Sequence, residues 1–293
     1  MRADYRAQIE TATAGWAGVS AMSAFVIRHI GDPDVDYGEL AEAVRYDPGV
    51  TATVLKMANS AYFGLRREVT TLKQAFAVLG TRRLFKLLIA DTAMGTMAVP
   101  LTGYDLTAED FVRHAAWTAL AAEKLARRIG DSNGDFCFTC GLLHDLGKLP
   151  MDPCVAQERE RVRDGLRRPN GVSFDELERE LFGIGHPEAG ARLLATWGLP
   201  EEIVTVAAHH HVPETCPEPH RIPARIVHMA DMLAYAEGVG AGLEGTQYRF
   251  SEQSMQALDI DQTELEYIAS QTLDEMRELA RIFVPHRARE ADS

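Results

Sequence analysis

Helical periodicity runs through almost the whole chain, and this feature constrains the fold more than any other. Apolar residues recur at spacings of three and four positions, and Ala, Leu, Glu and Arg dominate these segments. This spacing places apolar side chains along one face of an α-helix, and the residue types favour helix formation. Alternating patterns that would indicate β-strands are nearly absent. The sequence therefore predicts an all-α fold.

Breaks in the periodicity divide the chain into three predicted regions. Gly and Pro fall between the periodic runs, and the segment VPLTGYDLT at residues 99–107 marks the first boundary. We expect an N-terminal helical subdomain over residues 1–105, a helical core over residues 106–240 and a C-terminal helical tail over residues 241–293.

Local signals predict where several helices begin and end. Thr107 is the expected N-cap of a helix that continues to about Arg128. Ser173 and Glu176 have the spacing of a capping box at the start of another helix. In the N-terminal region, TLKQAFAVLGTRRLFKLLIADTAMGTM is predicted to form one helical segment.

Composition and charge argue against one class of partner. The 293 residues are 46% hydrophobic and 25% charged, which is ordinary for a globular protein. The net charge of −13 and a pI of about 5.2 argue against nucleic acid held through its phosphates, because such binding needs a basic surface. We therefore expect no nucleic-acid partner.

The sequence also gives no indication of a segment that directs a protein to or through a membrane. Its charged N-terminus has no apolar run typical of a secretory signal. Lys86 and Asp91 interrupt the most apolar stretch, which is too short to span a bilayer. Four cysteines in 293 residues fit a reduced compartment. These features predict a cytoplasmic protein with no membrane partner.

Histidines and aspartates lie on the apolar faces or at the ends of the predicted helices. One histidine and one aspartate share helix faces with apolar residues, two His-containing pairs close apolar helices, and another histidine stands at a helix N-terminus. In this order, they are His114, Asp231, His144–Asp145, His210–His211 and His186. An unpaired carboxylate in apolar surroundings is unfavourable, so it takes up a proton or recruits a cation.

Two interpretations fit these residues. Taken singly, each has an ordinary structural role, such as a core histidine with one hydrogen bond or a helix cap at His186. Taken together, imidazoles mixed with carboxylates suit iron, manganese, nickel or zinc, and a carboxylate is able to bridge two ions. The whole set therefore indicates a site for one or two divalent transition metal ions.

The order of these residues carries a family resemblance. His114, the H-D-x-G-K segment at residues 144–148, His186, the H-H pair and Asp231 resemble the HD superfamily of helical metal-dependent phosphohydrolases, and its HD-GYP branch in particular. The first half, LAEAVRYDPGVTATVLKMANSAYFGLRREVTTLKQAFAVLG, resembles the HDOD (HD-related output domain) family. The likeness covers roughly residues 15–240 and implies an N-terminal helical subdomain packed on an HD-type helical core.

The resemblance implies two alternative functions. HDOD domains are mostly signalling and regulatory modules without an established activity, so one expectation is a metal-binding module that works through signalling protein partners. The alternative is a metal-dependent phosphohydrolase acting on a nucleotide or cyclic dinucleotide. In that case Asp145 would bridge two ions and Lys148 would neutralise a phosphate oxygen. The absence of G-Y-P after His211 counts against hydrolysis of cyclic di-GMP.

Several residues next to the candidate metal ligands have more than one possible role. Lys148 has a second interpretation as a cation favoured at a helix C-terminus. Asp110 shares a face with His114 and either adds a ligand or acts as the N3 partner of Thr107. In the run of three histidines, HH-V-P matches the family form, which selects His210 and His211 over His209.

Two further features of the sequence bear on a functional role. Cys137 and Cys140 form a C-x-x-C pair without a second pair, so they are either small core residues or a metal or redox site. The segment ANSAYFGLRR places Tyr62 and Phe63 beside two arginines, which indicates a surface for a protein partner.

Overall fold

A computed structural model describes residues 4–16, 27, 48–59, 69–131, 133–168, 172–244 and 250–283. Within these residues all regular structure is helical, apart from one isolated antiparallel bridge between Leu101 and Leu106. The all-α prediction is confirmed.

The helices are numbered along the chain. They are α1 (Tyr5–Gly15), α2 (Pro48–Ala58), α3 (Leu72–Leu79), α4 (Thr81–Thr96), α5 (Ala108–Arg128), α6 (Gly134–Leu143), α7 (Lys148–Gln157), α8 (Arg159–Leu166), α9 (Phe174–Phe182), α10 (His186–Thr196), α11 (Glu201–His209), α12 (Glu218–Ala236), α13 (Glu252–Leu258) and α14 (Gln262–Phe283). Short 3₁₀ turns lie at Thr102–Tyr104 and Pro213–Thr215.

Helix α5 is the centre around which the other helices pack. It contacts α6, α12 and α14, and α10, α11 and α12 follow one another around the same core. Ala115, Ala119 and Ala122 of α5 are fully buried, so small side chains let its neighbours approach closely. His114 and Thr118 on another face are buried as well. Burial on more than one face explains why polar residues of α5 reach the interior.

The predicted caps of two helices are confirmed. The backbone N–H of Asp110 donates to the Thr107 side chain at 3.1 Å, and α5 runs to Arg128. Ser173 and Glu176 form the expected capping box at the start of α9. A cap of this kind contributes about 1 kcal/mol to stability because it satisfies an otherwise free N–H group of the first turn.

Two expectations about helices differ from the structure. The predicted segment TLKQAFAVLGTRRLFKLLIADTAMGTM is broken at Gly80, whose φ of +74° ends α3 before α4 begins. A helix at residues 148–157, α7, was not anticipated, because its apolar residues and Pro153 give no clear period. The C-terminal region is helical as expected, with α13 ended by a left-handed Asp259.

The described part of the N-terminal region packs directly on the predicted core. Helix α1 contacts α7 and α10, while α4 contacts α6. Tyr5 of α1 packs edge-on against Phe182 at a centroid distance of 5.5 Å. The division into three regions stays a prediction, and the boundary segment contributes Tyr104 to the buried interior.

None of the described helices combines the length and the apolar composition that crossing a membrane requires.

Candidate metal centre

The seven predicted ligands meet in the interior of the helical core. They come from α5, the turn after α6, the first residue of α10, the end of α11, and α12. Counted over whole residues, their exposed fractions are 0–1%, except for His211 at 9%, whose side chain alone is 1% exposed. The group comprises His114, His144, Asp145, His186, His210, His211 and Asp231. Residues as far apart in the chain as α5 and α12 therefore form one polar cluster inside an apolar core.

Backbone carbonyls orient three of the imidazoles. Nδ1 of His114 lies 2.9 Å from the carbonyl oxygen of Val239. Nδ1 of His144 and of His210 each lie 2.7 Å from the carbonyl three residues earlier in the chain. A carbonyl only accepts hydrogen bonds, so these Nδ1 atoms carry the proton and donate it. Each Nε2 lone pair is then directed at the cluster, as in histidines that bind metals.

A buried glutamate orients the fourth imidazole. Oε2 of Glu178 accepts hydrogen bonds from both the backbone N–H and Nδ1 of His186, each at 2.7 Å. Its Oε1 accepts from the hydroxyl of Tyr104 at 2.6 Å. With both oxygens engaged, Glu178 fixes the ring and leaves Nε2 of His186 facing His211 Nε2 at 2.9 Å. A carboxylate behind a histidine is a common support for a metal ligand.

One group of donor atoms surrounds Oδ2 of Asp145. Its Oδ2 lies 3.4 Å from His144 Nε2 and 3.6 Å from His114 Nε2. Oδ1 of Asp231 lies 2.9 Å from His114 Nε2 and 3.7 Å from His144 Nε2. Ligands about 2.1 Å from one ion stand roughly 3.0–3.5 Å apart. This spacing is close to that of a single coordination sphere.

A second group of donor atoms surrounds Oδ1 of Asp145. Its Oδ1 lies 3.4 Å from His186 Nε2 and 3.7 Å from His210 Nε2. His211 completes this group, and the ligand atoms all lie within 4.8 Å of one another. Asp145 thus presents one oxygen to each group, which is the arrangement of a bridging carboxylate.

Several buried lone pairs in the cluster have no hydrogen-bond partner among the described residues. They are Nε2 of His114, His144 and His210, Oδ1 of Asp145, and both carboxylate oxygens of Asp231. Leaving such atoms buried and unsatisfied is costly, and acceptors facing acceptors need a cation between them. The residues present therefore fit a divalent transition metal better than a network of hydrogen bonds.

The electrostatics of the cluster favour a positive charge among its residues. Burial would lower the pKa of His144, but Asp145 and Asp231 outweigh it and raise that pKa to about 10. Burial, with His144 as a charged neighbour, lowers the pKa of His210 to about 3. Burial would raise the pKa of Asp231, yet His114 and His144 hold it well below its ordinary value. The carboxylates of the cluster thus favour a positive charge beside His144.

Lys148 belongs to the same interior and is not a helix C-terminal cation. It is the first residue of α7 and is 1% exposed, so that alternative is wrong. Its Nζ lies 2.5 Å from Asp145 Oδ2 and 3.4 Å from the hydroxyl of Tyr235, and it also pairs with Glu244. Burial would lower the pKa of Lys148, but Asp145 and Glu244 hold it above its usual range.

The glycine of the H-D-x-G-K segment is required by a close approach. A Cβ at Gly147 would lie 1.9 Å from the carbonyl oxygen of His186 and 2.4 Å from the backbone nitrogen of Gly190. Any larger residue would push the turn that carries Asp145 away from α10. Gly147 therefore lets the turn and α10 bring Asp145 and His186 into one group.

The structure decides three alternatives left by the sequence. Asp110 is the N3 partner of Thr107, whose hydroxyl lies 2.7 Å from its Oδ2, and it belongs to none of the metal groups of the described residues. His209 bonds the Thr215 hydroxyl at 2.9 Å, so the selected pair His210 and His211 is the one in the cluster. Cys137 and Cys140 are buried free thiols outside the metal groups of the described residues.

Sequence reasoning missed two carboxylates of the site. Glu178 shares the apolar stripe of α9 with Phe174, Leu177 and Phe182, so the argument used for Asp231 would have found it. Glu244 lies in a glycine-rich segment without helical period, where no local signal marks it. The expected partner surface at Tyr62 and Phe63 lies outside the described residues.

Comparison with known proteins identifies the family of this fold. The HDOD domain matches residues 19–213, about two thirds of the chain. A curated but uncharacterised protein of Treponema pallidum is 28% identical over 213 residues, which cover 70% of this chain and 39% of that protein. The chain thus spans about two fifths of the length of this relative.

Solved structures share the fold over nearly the whole chain. A candidate signal transduction protein from Marinobacter aquaeolei is 21% identical, with a TM-score of 0.72 over 96% of this chain and 65% of the other. A candidate phosphohydrolase from Shewanella amazonensis is 24% identical, with a TM-score of 0.64 over 94% of this chain and 97% of the other. At this identity the likeness concerns the fold.

Proposed function

Because the chain belongs to the HDOD family, we propose that it is a signal-transduction module built around a buried metal centre. The observation that carries this proposal is the convergence of unsatisfied imidazole and carboxylate lone pairs at one interior point. The name of the Marinobacter relative also refers to signal transduction. The family resemblance implies that such a module acts through protein partners.

The residues divide between two positions for divalent ions. His114, His144, Asp231 and Oδ2 of Asp145 would hold one ion. Oδ1 of Asp145 with His186, His210 and His211 would hold the other. Nitrogen and oxygen donors of this kind suit iron, manganese, nickel or zinc. When bound, such an ion supplies a Lewis acid and lowers the pKa of water.

Burial favours a regulatory role over hydrolysis. A hydrolase needs an open coordination position and a groove that admits its substrate. Here the ligand side chains are 0–2% exposed, and Lys148 is enclosed with them. A metal held by α5, α10, α11, α12 and the turn after α6 would instead link these elements, so binding would stabilise one arrangement of the helices.

A second candidate function is a metal-dependent phosphohydrolase. The two-sided placement of Asp145 and the nearby Lys148 ammonium support it, since paired ions and a cation stabilise charge on a phosphoryl group. The name of the Shewanella relative points the same way. In this alternative Asp145 orients the two positions and Lys148 neutralises a phosphate oxygen.

Metal analysis of matched variants tests the proposal. Protein purified without chelator is analysed by plasma emission, with Asp145→Asn as the test variant and Asp110→Asn as the control. We expect metal in the parent and the control but little in Asp145→Asn, while circular dichroism shows all three folded. A metal-free parent whose melting temperature ignores added metal would contradict the proposal.

An activity assay on the same metal-loaded protein distinguishes the two candidate functions. Metal-loaded parent is assayed on a panel of phosphodiesters and nucleotides, with Asp145→Asn and Asp110→Asn alongside. Absent turnover with full metal content supports the regulatory module. Turnover that Asp145→Asn abolishes and Asp110→Asn keeps would establish the phosphohydrolase.

A further inference from the structure

A short segment after α12 lies directly against the metal centre. We call residues Val239–Glu244 the strap. The backbone N–H of Val239 donates to Ala234 at 2.9 Å, and that of Leu243 donates to the carbonyl of Tyr104 at 2.9 Å. The carbonyl of Val239 accepts the Nδ1 proton of His114. The strap is thus attached at both ends and also positions one of the ligands.

A glycine brings the strap into contact with α5. Gly240 has a φ of +62°, and a Cβ there would lie 2.6 Å from the Cβ of His114 and 2.8 Å from the carbonyl oxygen of Asp110. Only glycine fits both the left-handed backbone and this separation. The strap therefore closes over the His114 side of the centre.

The last residue of the strap places a carboxylate in the interior. Glu244 is 0% exposed, and its Oε1 pairs with the Nζ of Lys148. The same Nζ lies 2.5 Å from Asp145 Oδ2, the oxygen shared with His114 and His144. Glu244 thus lies beside the metal groups without being a member of them.

Only one of the two carboxylate oxygens of Glu244 has a partner among the described residues. Its Oε2 is buried and has no hydrogen-bond partner among the described residues. A carboxylate removed from water and paired through one oxygen recovers only part of its lost hydration. A tetrahedral oxyanion would use the same ammonium and offer further oxygens to bound metal. Glu244 is therefore held by the strap in a position that suits a phosphoryl group.

We propose that the carboxylate of Glu244 occupies the position beside Lys148 where a phosphoryl group would bind, and that it thereby keeps the centre closed. The inference rests on the proposed metal centre and adds its regulation. Displacement of the strap would remove the carboxylate, expose the Lys148 ammonium and admit a phosphate group. The structure, with Lys148 enclosed, is then the closed state of an anion site. The position of the strap decides whether this site binds phosphate.

Phosphate binding to a charge-neutral variant tests this inference. Glu244→Gln keeps the shape of the side chain and removes its charge. Metal content is measured first, and inorganic phosphate is then titrated into metal-loaded protein by calorimetry. If Glu244 holds the position about nine-tenths of the time, the parent's apparent Kd is raised about 10-fold over the open site. We expect Glu244→Gln to bind phosphate at least about 10-fold more tightly than the parent.

Two control variants make the outcome specific. Glu237→Gln makes the same chemical change at an exposed position just before the strap, and it should bind phosphate as the parent does. Lys148→Met combined with Glu244→Gln removes both charges of the pair, so the double variant should stay folded and lose phosphate binding. Melting curves confirm folding of each variant.

Each other result overturns the inference. Equal phosphate affinity in the parent and Glu244→Gln would show that the carboxylate blocks nothing. Equal gains in Glu237→Gln would reveal a general effect of charge, and binding retained by the double variant would place phosphate elsewhere. Metal-loaded Glu244→Gln without phosphate binding would refute the anion site alone. Protein that binds no metal would refute the proposed centre itself, which the first measurement reveals.

Discussion

Two clusters of buried charge are built on the same pair of helices and are balanced in different ways. At one end of α5 and α6, Glu123 and Asp135 both pair with Lys86 of α4, and Arg127 also pairs with Glu123. At the other end, His114 and Asp145 meet in the metal centre, where acceptors face acceptors.

The difference shows which kind of buried charge indicates a ligand site. Glu123 and Asp135 are 6% and 2% exposed, nearly as buried as the metal-centre aspartates. Their cations come from the protein itself, so the cluster joins α4 to the core without needing an ion. Burial is common to both clusters. They differ in what faces the buried acceptors: Asp135 Oδ1 lies 2.7 Å from the Lys86 ammonium, whereas in the metal centre several imidazole and carboxylate lone pairs face one another.

The largest expected contrast comes from removing one lysine at each cluster. In metal-free protein, Lys148→Met leaves Asp145 and Glu244 buried without their cation, which should lower the unfolding free energy by about 3–5 kcal/mol. Lys86→Met should lose less, about 1–2 kcal/mol, because Lys86 is partly exposed and Arg127 remains beside Glu123, so that only Asp135 loses its paired cation. Urea unfolding measures both. Equal losses would remove the distinction between the clusters.

Metal addition should affect only one cluster. Free metal at 1,000 times its Kd should raise the unfolding free energy by about 4 kcal/mol. Asp231→Asn should abolish most of this gain, while Glu123→Gln should retain it. Thermal unfolding of chelated and metal-loaded protein provides the measurement. A gain that survives in Asp231→Asn would place the metal outside the proposed centre.

The metal-free centre should also give stability a pH optimum. The raised pKa of His144, about 10, adds stability that is complete below its unfolded value of 6.5 and is lost as pH rises towards 10. The lowered pKa of His210, about 3, adds stability that is complete above 6.5 and is lost as pH falls towards 3. Urea unfolding of chelated protein should therefore show a maximum near pH 6.5, which is displaced in His144→Gln.

The smallest expected effect separates capping from coordination. Thr107→Ala removes the cap of α5 and should cost about 1 kcal/mol. Asp110→Ala should have a similar or smaller effect, and both variants should keep the metal content of the parent. Elemental analysis beside urea unfolding gives the answer. Metal loss in Asp110→Ala would return this residue to the ligand set.

Much of the fold and part of the centre could be predicted from the sequence. Periodicity gave the helical class, and the same test placed His114 and Asp231 on inward faces, where both are buried. Glu178 was accessible to that test as well. The break at Gly80 and helix α7 were missed because a left-handed glycine and a weak period leave little trace in composition.

The features that follow from the amino-acid sequence alone are local: helices, their caps, and which polar side chains face inward. These depend on neighbours three or four positions away. Long-range packing instead gives each histidine group one oxygen of Asp145, and it pairs Lys148 with Glu244, 96 residues further along the chain. Such pairings depend on how distant helices pack and on where a strap without helical period settles, and no local spacing encodes either.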